Sequence, residues 1–534
     1  MVSPTSTDQG ESQVTLPSFL TRIQNAAGPL LGGIGESTLA DRLSECALLL
    51  EIDESDASDP GHRASYLLAA NLGARLYPRL SLDGPEELVA QAVELARAIN
   101  SGCEFGAPRK RSLTLSWKGG APSMDKVTVA IDGWNISLDG TAAAAAPAEP
   151  LAAMAAATLG IGQIFRAVFG DLLPHGRTGP EPFSLSWLTL DEPMEAPAFP
   201  KALDLGTFHL AGCGAIGQAV VLALRELPIN GKVVAVDHET LDPGNLQRYL
   251  LSGSSDVQVE KVALVERALQ RHGLKVEAVP TRWGESDLSA PGRGTVLSAF
   301  DTKQARIELQ AGLPEEIFNA WTQPEDVGVS RHQRFGSDPC LACLGWPQHQ
   351  RPSRSEQIAE SLGENELRVV RYLASGLPVG QPLSPEQLQP TRRLPLPDDA
   401  HTWVERSLLE DLIQRYELPR QQFEPLGILP VDALYRDAVC AEMLIKHRGE
   451  NLGADISVPL AHQSALAGIL LATWLVVDRV PELRALRPRQ CQARYDVLRG
   501  GQQVWSRHRE RTSACLCSDP DFLAAYEQRW HPMA

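Results

Sequence analysis

The segment of this chain that most limits its fold runs from an apolar stretch, Thr207–Ala211, straight into Gly212-Cys213-Gly214-Ala215-Ile216-Gly217 and on into a helical stretch, Gln218–Arg225. The first glycine permits a tight turn. The second lets backbone N–H groups approach a phosphate, and the third lets the helix pack closely on the strand. A second apolar stretch, Lys232–Asp237, ends in a carboxylate about 20 residues beyond the loop, where such folds bind ribose hydroxyls. That placement suits NAD and ATP equally, so the loop predicts a nucleotide-binding α/β fold without choosing the nucleotide.

Further apolar stretches at Lys275–Val279, Thr295–Phe300 and Ile317–Ala320, with helical periodicity at Val257–Gln270, extend the pattern. Strands alternating with helices imply a parallel sheet covered on both faces. Residues 1–15 are polar and expected to be a disordered tail. Residues 16–200 read as a separate α/β domain, with strands at Ala47–Ile52, Arg111–Trp117 and Lys126–Ile131. Its helices are expected at Arg63–Leu76, Pro85–Ile99 and the Ala-rich Pro150–Phe169. Gly32-Gly33-Ile34-Gly35 follows no strand and reads as a turn. Residues 201–534 form the second domain, which the Pro-rich Leu377–Pro397 interrupts. An insertion over about residues 350–445 is expected there, with helical pieces at Ser355–Ser375 and Thr402–Tyr416.

A net charge of -17 excludes a surface built to hold phosphate backbones, so nucleic acid is not an expected partner and a basic protein surface is. The N-terminus lacks the basic and apolar regions of a secretory signal. The apolar run Ser464–Val477 is short for a bilayer and reads as a buried helix. A cytoplasmic protein without a membrane partner is therefore expected. Nine cysteines in 534 residues are too sparse for a disulfide framework, which turns attention to metal ligation or catalysis. Cys340-Leu341-Ala342-Cys343 and Cys515-Leu516-Cys517 are two close pairs, and two such pairs complete a closed tetrahedral zinc site.

Beyond the loop, Asp237 is followed by Asn245-Leu246-Gln247-Arg248 and then by Lys261; Asp301 closes a later strand with Arg306 five positions on. This series resembles the ubiquitin-activating enzymes and their bacterial ThiF-type relatives, the adenylyltransferases of thiamine and molybdopterin biosynthesis. Two positions depart from that pattern: Tyr249 stands where the family has Gln, and Thr302 where it has Asn. The resemblance implies a Rossmann-like ThiF-type adenylation domain with a mixed, mostly parallel sheet, preceded by a degenerate, inactive-adenylation-like α/β domain. It also implies a chemistry. A carboxylate must attack the α-phosphorus of ATP while pyrophosphate leaves, so Arg248 and Lys261 would neutralise phosphate oxygens and Asn245 would orient one. Asp301 would hold Mg²⁺, and Gly212, Gly214, Gly217 and Asp237 would seat the nucleotide. The paired cysteines stand where these relatives carry a structural zinc, although the second pair is CxC rather than CxxC.

By the same resemblance Cys440, near the end of the inserted region and before the block Ser457–Gly468, is the thioester-forming nucleophile, with Cys491 its rival, and Arg22 is a candidate to reach the ATP phosphates from the first domain. The implied partners are a ubiquitin-like protein and a conjugating enzyme, in a pathway of the kind found in bacterial antiviral defence, and a homodimer is allowed. Alternatives are an adenylyltransferase for sulfur transfer or peptide modification without a thioester, an NAD-dependent oxidoreductase, and a catalytically dead scaffold.

Overall fold

The computed structural model describes residues 23–24, 36–106, 110–140, 146–173, 182–285, 294–323, 326–345, 355, 358–359, 362–388, 396–397, 400–416, 418–435, 460–487, 492–496, 504–506, 511–513 and 515–531. The chain divides into two units, Met1–Trp346 with Val458–Ala534, and Pro347–Ser457. Arg22, Gly32–Gly35, Cys440 and Cys491 lie outside the described residues.

The larger unit holds two sheets. The first comprises β1 (Cys46–Glu51), β2 (Arg79–Asp83), β3 (Glu104–Phe105), β4 (Arg111–Ser116), β5 (Lys126–Asp132), β6 (Asn135–Leu138) and β7 (Phe183–Ser186), in the order 3-2-1-4-5-6-7. The second comprises β8 (Leu203–Ala211), β9 (Ile229–Val236), β10 (Leu274–Val279), β11 (Thr295–Ser298), β12 (Glu316–Thr322), β13 (Asp326–His332), β14 (Gln492–Asp496) and β15 (Val504–Ser506), in the order 10-9-8-11-12-13-14-15. Subtracting seven from the second series returns the first order with one strand added. The directions repeat too: β3 to β5 and β10 to β12 run parallel, and the remaining strands pair antiparallel.

Helices repeat in the same places. The first strand of each sheet leads into α1 (Pro60–Ala74) or α4 (Ala215–Arg225). In the first half α2 (Glu86–Ile99) and the long α3 (Pro150–Phe169) follow. In the second come α5 (Lys261–Leu269), α6 (Lys303–Ala311) and the long α7 (Ala461–Asp478), and α8 (Pro520–Trp530) closes the chain. Each long helix packs on the first helix of its own half, α3 on α1 and α7 on α4, and the two long helices pack on each other. Both long helices are mostly apolar and buried: α7 and the stretch beginning at Pro150 are long and apolar enough to cross a membrane, yet α7 is wholly enclosed by the fold.

The unit Pro347–Ser457 has its own apolar core, in which Leu367, Tyr372, Trp403, Leu408, Leu412 and Phe423 meet. The helix expected over Thr402–Tyr416 is two helices, Thr402–Glu405 and Leu408–Arg415. Ser407 starts the second: its hydroxyl accepts from Glu410 N (3.2 Å), and the Glu410 carboxylate accepts from Ser407 N (3.1 Å). The helix expected from Val257 begins instead at Lys261, because Gln258 takes a φ of 70° and its N–H pairs with Leu241 O. Strand β13 escaped the sequence reading, since Gly328, Ser330 and Arg331 interrupt its apolar alternation.

Candidate functional site

The loop Gly212–Gly217 joins β8 to α4 at the carboxyl edge of the second sheet, the crevice where doubly wound folds bind ligands. Gly212 has a φ of 94°, which only glycine adopts without strain. A Cβ on Gly217 would stand 2.2 Å from Gly212 O, so the turn closes only with hydrogen there. Asp237 is the residue after β9, and its carboxylate accepts from Cys213 N (2.8 Å) and Glu239 N (2.9 Å). The predicted ribose ligand thus also fixes the start of the loop. Asn245 Oδ1 accepts from Asp242 N (3.0 Å) and closes a capping box over the short turn Pro243–Gln247.

Lys261 is the first residue of α5 and its side chain is 4% exposed. Its ammonium donates to Glu239 Oε2 and to the Tyr249 hydroxyl (3.1 Å). Burial alone would lower its pKa, but Tyr249, Glu239 and Asp237 together raise it, so the lysine is charged at neutral pH. Glu239 responds in kind: burial would raise its pKa, and the hydrogen bond and charge of Lys261 bring it below the usual carboxylate value. Tyr249 lies beneath two cations, with the Arg248 guanidinium 5.5 Å and the Lys261 ammonium 5.1 Å from its ring centroid. Loop, Asp237, Arg248 and Lys261 therefore form one cluster, and Glu239 and Tyr249 complete it.

Asp301 is exposed just past β11, at the mouth of a cavity of about 360 Å³ lined by Lys303, Arg306, Asn319, Trp321, Gln492 and Arg494. Arg306 is spent on structure: its guanidinium donates to Phe300 O (2.6 Å) and Ala320 O (3.4 Å), and burial lowers its pKa to about 10. Gly212 packs against Ala299 and Phe300, which brings the loop up to the segment that ends in Asp301.

One element of the site left no mark in the sequence. Arg75, at the C-terminal end of α1 in the first half, is buried and spans to the segment that carries Arg248 and Tyr249. It donates to Leu246 O and Ser252 O (3.0 Å), and its Nε to Asn71 Oδ1 (2.8 Å); Asn71 in turn donates to Leu250 O (2.9 Å). Burial pulls its pKa down to about 9, which leaves it charged at neutral pH. Gly253 closes on the end of α2, where a Cβ would stand 2.5 Å from Ala98 O.

The four paired cysteines come together as expected. Their sulfurs lie within 4.8 Å of one another, with Cys340–Cys515 and Cys343–Cys517 both at 3.4 Å and Cys340–Cys343 at 3.9 Å. Four thiolates about 2.3 Å from one tetrahedral ion would be spaced by ~3.8 Å, so the cluster fits a single metal. All four are buried, and with every corner taken by sulfur such an ion would have no position for substrate.

Residues 199–312 match the ThiF family, and residues 47–184 match the BilD N-terminal domain. The chain is 30% identical over 538 residues to the uncharacterized protein y4jF of Sinorhizobium fredii (strain NBRC 101917 / NGR234), covering 97% of this chain and 98% of that one. Among solved structures it is similar to E. coli MccB, at 12% identity over 59% of this chain and 65% of MccB, with a TM-score of 0.32. A structure titled SeMet PaaA also matches, at 16% identity over 25% of this chain and 46% of that one, with a TM-score of 0.22. With its glycine loop, Asp237, Arg248 and Lys261 all inside the matched segment, the chain belongs to the ThiF-type adenylyltransferase superfamily, whose chemistry is ATP-dependent adenylation.

Proposed function

We propose that this protein adenylates the C-terminal carboxylate of a ubiquitin-like protein, captures the acyl group as a thioester, and hands it to a conjugating enzyme in the cytoplasm. The observation that carries the adenylation step is the buried cluster at the glycine loop, where Lys261 and Arg248 bring two positive charges to a site whose backbone is already shaped for phosphate. A carboxylate oxygen of the substrate bonds to the α-phosphorus, the bond from that phosphorus to the bridging oxygen breaks, and pyrophosphate leaves with the electron pair. Lys261 and Arg248 offset the charge that gathers on the phosphates, and Asp301 would hold the Mg²⁺, whose charge would shield the leaving group. The cavity beside Asp301 takes the extended C-terminal segment of the substrate.

In the second step a thiolate attacks the acyl carbon of the adenylate and AMP departs; we assign this thiol to Cys440. The cysteine cluster holds Zn²⁺ as a structural ion that ties Cys515 and Cys517 to the segment after β13.

The test combines two assays on the purified chain with a small protein ending in a free glycine carboxylate. Pyrophosphate should exchange into ATP only when that protein is present. A reductant-sensitive adduct should form in wild type, vanish in Cys440→Ala and persist in Cys491→Ala, while exchange survives in Cys440→Ala. Loss of the adduct in Cys491→Ala alone would move the nucleophile there. Exchange without any adduct would leave adenylation standing and remove the thioester.

A further inference from the structure

Tyr249 occupies the position where the sequence leaves the family pattern, and its surroundings give it a use. It is 5% exposed, and its hydroxyl lies so near the loop that a Cβ on Gly214 would come within 3.3 Å of it. Gly214 is the N-cap residue of α4 and supplies no side chain to the free N–H groups behind it. The Tyr249 oxygen accepts from Lys261 Nζ at 3.1 Å, which uses the oxygen as an acceptor and polarises the O–H bond. Among the described residues no acceptor takes the hydroxyl proton. A buried donor with a lysine at its back and a phosphate-shaped loop in front of it is poised for an anion. The ring cannot easily turn away, because Arg248 lies 5.5 Å and Lys261 5.1 Å from its centroid. Burial also raises the phenol pKa, so the proton to be donated is present at neutral pH.

We infer that the Tyr249 hydroxyl is a phosphate ligand of the adenylation site, donating to a non-bridging oxygen of the ATP triphosphate held at Gly212–Gly217. This rests on the adenylation reading above. It gives Lys261 two routes to the phosphates: a direct one through the ammonium proton that Glu239 and Tyr249 leave over, and a relayed one through the phenol. The residue makes and breaks no bond. Its proton stays on oxygen throughout, and it contributes only where negative charge collects.

Tyr249→Phe isolates the hydroxyl, because the ring keeps its packing over Gly214 and its place beneath both cations. Calorimetric titration with Mg²⁺ and the non-cleavable α,β-methylene analogue of ATP reads binding without any need for the protein substrate. The expected result is an affinity about tenfold weaker than wild type, the loss that goes with one hydrogen bond to a charged group, in a protein that remains folded. AMP, which lacks the β- and γ-phosphates, should show a smaller difference between the two proteins. Tyr249→Gln, which restores an N–H donor, should recover part of the lost affinity. Equal affinities for wild type and Tyr249→Phe would overturn the inference and leave Tyr249 as packing; tighter binding by Tyr249→Phe would overturn it by making the hydroxyl an obstruction. If wild type binds neither nucleotide, the adenylation reading itself fails, a result distinct from any ratio between the two proteins.

Discussion

Replacing Arg75 by Met keeps most of the side-chain volume and removes three hydrogen bonds, to Leu246 O, Ser252 O and Asn71 Oδ1. The two carbonyls lie at either end of the segment that carries Arg248 and Tyr249, and without the guanidinium they stay buried without that partner. An unsatisfied buried polar group costs roughly 1–3 kcal/mol, and relief from burying a charge offsets part of the total, so a net cost of ~3 kcal/mol is expected. In so long a chain that shifts the melting temperature by only a few degrees, because unfolding entropy grows with size. The sensitive readout is local. The amides of Arg248 and Tyr249 pair with Asn245 O, that of Ser252 with Tyr249 O, and that of Leu251 with Gln218 Oε1. A loss of ~3 kcal/mol should speed their hydrogen exchange on the order of a hundredfold and weaken ATP binding, with amides in β10 unaffected. Arg75→Lys should recover little, since one ammonium has no planar fork to bridge both carbonyls. Unchanged exchange over 246–252 together with unchanged ATP affinity would refute the claim that the first half fixes this segment.

Three further outcomes are expected. Asp301→Ala should abolish pyrophosphate exchange while the fold survives, because the carboxylate is exposed; exchange at the wild-type rate would remove Asp301 from the metal site. Metal analysis should find about one Zn²⁺ per chain, and Cys515→Ser or a chelator should lower the melting temperature, a result that unchanged stability on full metal removal would contradict. His462 is buried against Phe165 (ring centroids 5.7 Å), and burial lowers its pKa from 6.5 to about 4. The unfolded chain then binds the proton that the folded chain refuses, so its contribution is present above pH 6.5 and falls by roughly 3 kcal/mol as pH drops toward 4, a slope that denaturant titrations should find flattened in His462→Gln.

The second half was legible because its signals are local. A glycine loop between a strand and a helix, and cysteines in close pairs, announce themselves within a few residues, and Arg248 and Lys261 stand at fixed distances beyond the loop. Strand β13 failed to register because a polar side chain with work inside the fold breaks its alternation: Ser330 is fully buried and bonded to Asn319 and His332. Strands β2, β6 and β7 alternate but are only four or five residues long, too short to stand out. Glu239 could have been found, as an acidic residue two places past Asp237 and so within reach of Lys261. Arg75 could not. Its partners are backbone carbonyls 171 and 177 residues away, and a carbonyl leaves no trace in the identity of Leu246 or Ser252. Contacts of this kind tie one half of the molecule to the site of the other, and they exist only once the chain is folded.

The repeated strand order lets the two halves be compared at the same place in the fold, and there they differ in charge. Where β8 leads into Gly212–Gly217, β1 leads into Ile52-Asp53-Glu54-Ser55-Asp56-Ala57-Ser58-Asp59. The N-terminus of α1, the counterpart of the phosphate end of α4, is already filled: the Asp59 carboxylate accepts from His62 N (3.0 Å) and from Ala148 N (3.2 Å). Asp53 caps the preceding turn through Asp56 N (2.8 Å). Carboxylates there satisfy the free amides that a phosphate would need, and they repel a triphosphate besides. That end of the first half is thus a poor fit to a triphosphate, and its visible connection to the glycine-loop site is by contact. Arg75, Asn71 and the end of α2 at Ala98 all reach the same stretch, Leu246–Ser254, which carries Arg248 and Tyr249. An adenylation domain expressed from residue 201 onward would lose every one of those contacts, along with the cover over α4 and α7, so restoring activity to it by adding the first half in trans is the result this division of labour requires.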